Sequence, residues 1–133
     1  MSSMDTDLVH RAMPLTATLG ITCDEWSPAR VVLSLDHRPE LCTAGGLMHG
    51  GAVMALADAA GGGAAHLNLP DGATATSTIE SKTNFLGAVR EGTVTASSTV
   101  LHRGRSTIVV ETVLQQGERL VAKTTQTQSV LRR

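Results

Sequence analysis

Aromatic side chains are almost missing from this chain. Its 133 residues include Trp26, Phe85 and no tyrosine. That excludes the ring-lined platform on which single-stranded nucleic acid stacks. Charge is scarce and balanced: Asp, Glu, Lys and Arg make up 17% of the residues and the formal net charge is −1. This excludes a general polyanion binder. A charge content below the ordinary ~25% is also what a chain shows when a second subunit covers part of its surface. Two cysteines, Cys23 and Cys42, cannot build a disulfide framework. No CxxC and no Cys/His cluster with zinc spacing is present, so no metal site is expected. The segment Met1–Met13 carries Asp5 and Asp7 and lacks an apolar signal core. The longest apolar stretch is interrupted by Asp58 and by glycines, which leaves no membrane span. The expectation is one soluble cytoplasmic domain over residues 1–133, with residues 1–14 as an N-terminal helical extension.

No repeat, linker or low-complexity tract divides the chain. Residues 5–13 can form a short helix with Leu8, Val9, Ala12 and Met13 on one side, which Pro14 ends or restarts. Strands are expected near Gly20–Trp26 and over Val31–Leu35, separated by the Ser27-Pro28 turn. Residues 37–48 read as a long loop. From His49 an Ala- and Gly-rich run places Val53, Leu56, Ala57, Ala60 and Ala64 at helical spacing. Gly61-Gly62-Gly63 weakens that helix by about 1 kcal/mol per residue relative to alanine. The helix is therefore expected to be buried, with another backbone approaching the glycines closely. Four strands follow, at 74–86, 93–102, 106–115 and 120–131, rich in Thr, Val, Ile and Ser. Short breaks between the later ones imply hairpins and an antiparallel sheet. One apolar helix covered by one long curved sheet is an α+β layer architecture.

Common catalytic signatures (GxSxG, P-loop, HExxH, GxGxxG) are absent. What stands out is His49-Gly50-Gly51 at the start of the long helix, with Asp58 nine positions after His49. A helix start offers unpaired amide donors and the positive end of its dipole. Glycines there let a ligand approach the amides, as a developing oxyanion requires. A carboxylate on a buried Ala/Gly helix needs a partner, water or a chemical task.

The run His49-Gly50-Gly51-Ala52-Val53-Met54-Ala55-Leu56-Ala57-Asp58 closely resembles the central helix of hotdog-fold acyl-CoA thioesterases, the phenylacetate-pathway (PaaI-like) group. Thr78-Ile79-Glu80 and Asn84-Phe85-Leu86 resemble the strand that follows it. His102-Arg103-Gly104-Arg105 resembles a later turn, and Leu120-Val121-Ala122 with Thr125-Gln126-Thr127 resembles the last strand. The resemblance spans about residues 15–131. It implies a hotdog fold of about six strands around one central helix, and hydrolysis of an acyl-CoA thioester. It implies that the Gly50 amide polarises the thioester carbonyl, and that Asp58 serves as general base on water or as nucleophile. Thr78 would help place the water, and His49 would support the loop. Thr43 stands where members often carry Asn or Gln. Thr43, Gly51, Asn84, Arg103 and Arg105 are the candidate substrate contacts, the two arginines for the phosphates of coenzyme A. Apart from coenzyme A as part of the substrate, no cofactor is implied.

A distance argument stands beside the resemblance. Gly50 and Asp58 are eight positions apart, about 12 Å along a helix at 1.5 Å per residue. One thioester carbon cannot lie within roughly 3.5 Å of both. Acting together, they must come from two chains related by a two-fold axis. A homodimer, assembled further into a dimer of dimers, is the expectation. The rival reading is a non-catalytic hotdog module that binds or senses acyl-CoA. The ordinary alternatives are a solvated helix aspartate at 58, a plain loop-to-helix joint at 49–51, a strand threonine at 78 and a solvated hairpin at 103–105. Alternation also places Glu80 and Asn84 on the face of Thr78. Cys42, with no histidine at a recognised spacing, is not expected to be a nucleophile.

Overall fold

A computed structural model describes residues 3–133; Met1 and Ser2 of the expected extension lie outside the described residues. Helix α1 (Ser3–Ala12) and helix α2 (Pro14–Leu19) are consecutive, because Pro14 takes the first helical position of α2, where no amide donor is needed. Gly20 closes α2 at φ 80°. Val9 drops from α1 into the core.

The remaining elements are β1 (Thr22–Trp26), β2 (Val31–Asp36), α3 (Gly50–His66), β3 (Ala75–Phe85), β4 (Thr93–Arg103), β5 (Thr107–Gln116) and β6 (Arg119–Leu131). They match the expected order. Within the 37–48 segment, two short 3-10 turns stand at Pro39–Leu41 and Ala44–Gly46. The six strands form one antiparallel sheet in the order β1-β2-β4-β5-β6-β3. The sheet wraps α3, which packs against β2, β3, β4, β5 and β6. This is the hotdog arrangement, with β3 crossing over to the far edge.

Val53, Leu56, Ala57, Ala60 and Ala64 all face the core, so tertiary burial holds this Gly-rich helix together. The glycines differ from the expectation in what meets them. Side chains, not a backbone, approach: a Cβ on Gly61 would collide with Oε1 of Gln126, and a Cβ on Gly63 would lie 2.6 Å from the Trp26 ring. A Cβ on Gly62 would meet nothing within 4 Å.

The inner face of the sheet mixes apolar and polar rows. Leu33, Leu35, Ile108 and Leu114 fill one part. Under the glycine triplet the face is polar, with Ser98 and Thr112 hydroxyls 2.5 Å apart and Gln126 and Gln128 buried.

The two sheet edges differ. Edge strand β1 is covered by α1, whose Thr6 Oγ1 accepts the Cys23 amide at 2.9 Å. Edge strand β3 runs eleven residues, pairs only with β6 and leaves Ile79 64% and Phe85 52% exposed. A long bare edge is a template for pairing with another chain.

Candidate active site

The N-terminus of α3 fixes the first part of the site. His49 caps the helix in extended conformation, and its Nδ1 accepts the Gly51 amide at 2.7 Å. That nitrogen is therefore unprotonated and Nε2 carries the ring proton. The amides of Ala52 and Val53 go to the His49 carbonyl. The Gly50 amide meets no acceptor among the described residues. Of the two glycines, Gly50 thus holds the free donor, while Gly51 has spent its own on the cap. Gly50 opens into a cavity of about 450 Å³ lined by Thr43, Met48, Val53, Phe85 and Leu86. The Phe85 ring leans over Gly50 so closely that a Cβ there would sit 3.3 Å from it. Thr43 is the one polar side chain in this wall.

The loop before the helix is pinned at both ends. Cys42 and Met48 form a β-bridge, and His37 Nε2 lies 2.8 Å from the Gly46 carbonyl. A carbonyl only accepts, so Nε2 donates there. The same nitrogen lies 3.1 Å from Cys42 Sγ, so the thiol does have a histidine neighbour that sequence spacing did not reveal.

Asp58 stands on the exposed side of α3, over a crevice of about 240 Å³ between α2 and α3 that Leu15, Leu19, Ala55 and Ala59 line. Its Oδ1 accepts a hydrogen bond from Nε2 of Gln126 at 2.6 Å. Gln126 is fully buried on β6. Its Oε1 is the one buried side-chain N or O atom without a partner among the described residues. Thr78, on β3, accepts from Nε2 of Gln128 at 2.7 Å and borders a third cavity of about 340 Å³ with Trp26, Gly62 and His66. Within one chain, Gly50, Asp58 and Thr78 therefore line three separate hollows.

Two expectations change. A bulge at Ile79 breaks the alternation of β3: Thr78 pairs with Gln128, but Glu80 pairs with Thr127 and Asn84 with Lys123. After the bulge the inward positions are Ser81, Thr83 and Phe85, with Thr83 Oγ1 2.8 Å from the buried Thr124. Asn84 and Glu80 consequently face away from Thr78, and Asn84 lines none of the three hollows. The two arginines differ in their hydrogen bonding. Arg103 donates through Nε and Nη2 to the carbonyls of Asn68 (2.8 Å) and Leu69 (2.9 Å), tying down the turn after α3. Among the described residues the Arg105 guanidinium meets no partner, and it faces an open hollow that Arg103, Asp71 and Arg132 also line.

Sequence reasoning passed over Gln126 and Gln128. Their signal is a Gln-x-Gln alternation where a strand facing a helix ordinarily carries apolar residues. Among the described residues, no three His, Cys, Asp or Glu side chains converge as metal ligands, and no helix is long and apolar enough to cross a membrane.

Comparison with known proteins gives a consistent picture. A family model described as the thioesterase superfamily matches residues 45–123. ComA2 of Bacillus subtilis, named as a candidate esterase, is 37% identical over 123 residues, covering 90% of this chain and 95% of that protein. The solved structure of thioesterase HI1161 from Haemophilus influenzae superposes with a TM-score of 0.86 at 25% identity, covering 94% of this chain and 88% of that one. The conserved protein PA5202 from Pseudomonas aeruginosa superposes with a TM-score of 0.80 at 31% identity, covering 88% of this chain and 93% of that one.

Proposed function

The chain belongs to the thioesterase superfamily, and from that premise we propose that it hydrolyses acyl-CoA thioesters at sites shared between two copies. The observation that carries this reading is the separation of the free Gly50 amide from the Asp58 carboxylate along one helix. They lie eight positions apart on α3, about 12 Å along its axis. The long bare edge of β3 runs beside that helix, antiparallel to it: the Phe85 end lies against Gly50 and the Thr78 end borders Gly62 and His66. Pairing two β3 edges about a two-fold axis sets the helices antiparallel. The Gly50 end of one copy then approaches Asp58 and Thr78 of the other.

In this arrangement the thioester carbonyl accepts from the Gly50 N–H, with the Thr43 hydroxyl near it. Water attacks the carbonyl carbon and gives its proton to Asp58. The C–S bond breaks, and the proton passes to the departing coenzyme A thiolate. A thiolate is a good leaving group, so no strong general acid is required. The wall around Gly50 carries no charged side chain, which suits an uncharged acyl group. Arg105, not Arg103, has a guanidinium free to meet a coenzyme A phosphate.

The test is thiol release from a panel of aromatic and short-, medium- and long-chain aliphatic acyl-CoAs, run on the wild type and on Asp58→Asn. Loss of a general base lowers the rate on the order of 10²–10⁴-fold. Turnover by Asp58→Asn at the wild-type rate removes Asp58 from the mechanism. Tight binding without turnover by the wild type favours the sensing module instead.

A further inference from the structure

We propose that Gln126 and Gln128 of β6 are positioning residues, which hold Asp58 and Thr78 in their working orientations. The inference rests on the roles given to those two residues above. Both glutamines are buried, at 0% and 2% exposure, and they project from alternate positions of one strand face. Each spends its amide N–H on one side chain of the site: Gln126 on Asp58 Oδ1 at 2.6 Å, Gln128 on Thr78 Oγ1 at 2.7 Å. Both lie beyond the 45–123 stretch that the family model matches.

The chemistry differs at the two positions. A donor on Oδ1 fixes the carboxylate plane and leaves Oδ2 to take a proton from water. At Thr78 the donated hydrogen bond fills an acceptor site of the hydroxyl. The single hydroxyl proton is then directed to another acceptor, such as the oxygen of the attacking water.

Core packing alone does not account for Gln126. Its Oε1 is buried without a partner, a cost that an apolar side chain at the same position avoids. The amide reaches Asp58 only because residue 61 has no Cβ. A buried acceptor without a protein partner and a glycine opposite it are both accounted for if the N–H is kept for the carboxylate.

Gln126→Met and Gln128→Met keep the side-chain length and remove the donor. The readout is kcat and KM on whichever of phenylacetyl-CoA, butyryl-CoA and decanoyl-CoA turns over fastest, with thermal melting as a check on folding. The expected result is a kcat lowered about tenfold or more for Gln126→Met, the scale of a hydrogen bond to a charged group, and about two- to tenfold for Gln128→Met, whose partner is a neutral hydroxyl, with KM within about twofold for both. The losses must also be non-additive: Gln126→Met costs nothing further in an Asp58→Asn background, and Gln128→Met nothing further in Thr78→Val. Should a methionine variant fail to fold, Gly61→Ala, which evicts the Gln126 amide from the other side, must show the same kcat loss. Unchanged kcat in the folded variants, or fully additive losses, overturns the proposal while leaving the role of Asp58 intact. Full activity of Asp58→Asn, or no turnover of any of the three substrates by the wild type, overturns the parent reading and this one with it.

Discussion

Three consecutive glycines in one helix should respond in opposite directions to the same substitution. Alanine at any of them gains about 1 kcal/mol of helix propensity over glycine. At Gly62 nothing stands within 4 Å of the new Cβ, so that gain survives. At Gly63 the Cβ falls 2.6 Å from the Trp26 ring, and the rigid indole has to shift bodily. Overpacking of that kind costs about 1–3 kcal/mol, which cancels or outweighs the gain. At Gly61 the Cβ collides with Gln126 Oε1 and expels the amide. Overpacking then adds to the loss of a hydrogen bond to a carboxylate, worth about 1.5–3 kcal/mol. The net is a destabilisation of about 1.5–5 kcal/mol after subtracting the propensity term. In a domain of this size each kcal/mol moves the melting temperature by roughly 3–5 °C. Thermal melts at one fixed protein concentration should therefore rank Gly62→Ala above wild type, Gly63→Ala at or below it and Gly61→Ala several degrees lower. Gly61→Ala melting as high as Gly62→Ala refutes the close contact between β6 and the helix.

Three further outcomes are expected. Arg105→Ala should raise KM for acyl-CoA several-fold, and added salt should blunt the difference, as for an exposed charge pair. Arg103→Ala should instead lower the melting temperature, because the Asn68 and Leu69 carbonyls lose their donor. The buried Cys23 thiol, pushed up to about 11 by burial and then by the charges of Asp5 and Asp24, stays protonated in the folded chain after the unfolded thiol has ionised at about 9. A folded pKa above the unfolded one means that this contribution to stability is complete below about pH 9 and is lost as pH rises towards 11. At neutral pH a thiol reagent should accordingly find one reactive cysteine per native chain, Cys42, and two after denaturation.

Most of the fold was legible because its signals are local. Alternation along Val31–Leu35, helical spacing from Val53 to Ala64 and glycine-bearing breaks at 104 and 117 each act within a few residues. The start of the long helix at His49-Gly50 was legible through its glycines and the helical spacing after them; the contacts that pin residues 37–48, which the sequence shows only as a loop, were not. What escaped depends on contacts across the sheet. Gln126 meets Asp58 across 68 positions of sequence, and no short window shows that. The bulge at Ile79 shifts β3 by one residue, which turned the alternation argument for Asn84 to the wrong face. Arg103 looked free for phosphate because its acceptors, the backbone carbonyls of residues 68 and 69, carry no sequence signature. The glycine triplet signalled close approach correctly, but only the structure shows that side chains make it.

The shared site is tested most directly by mixing two inactive variants. Asp58→Asn removes the carboxylate. Gly50→Pro removes the amide proton at a position where proline suits the helix, since residue 50 is the first helical residue and His49 is already extended at ψ 135°. After subunit exchange at equal concentrations, half of the dimers are hybrids, and each hybrid carries one intact site of its two. Hydrolysis should return to about a quarter of the wild-type rate, one half multiplied by one half. Proven exchange with activity no higher than either parent would mean that Gly50 and Asp58 do not act across two chains, and would contradict the account.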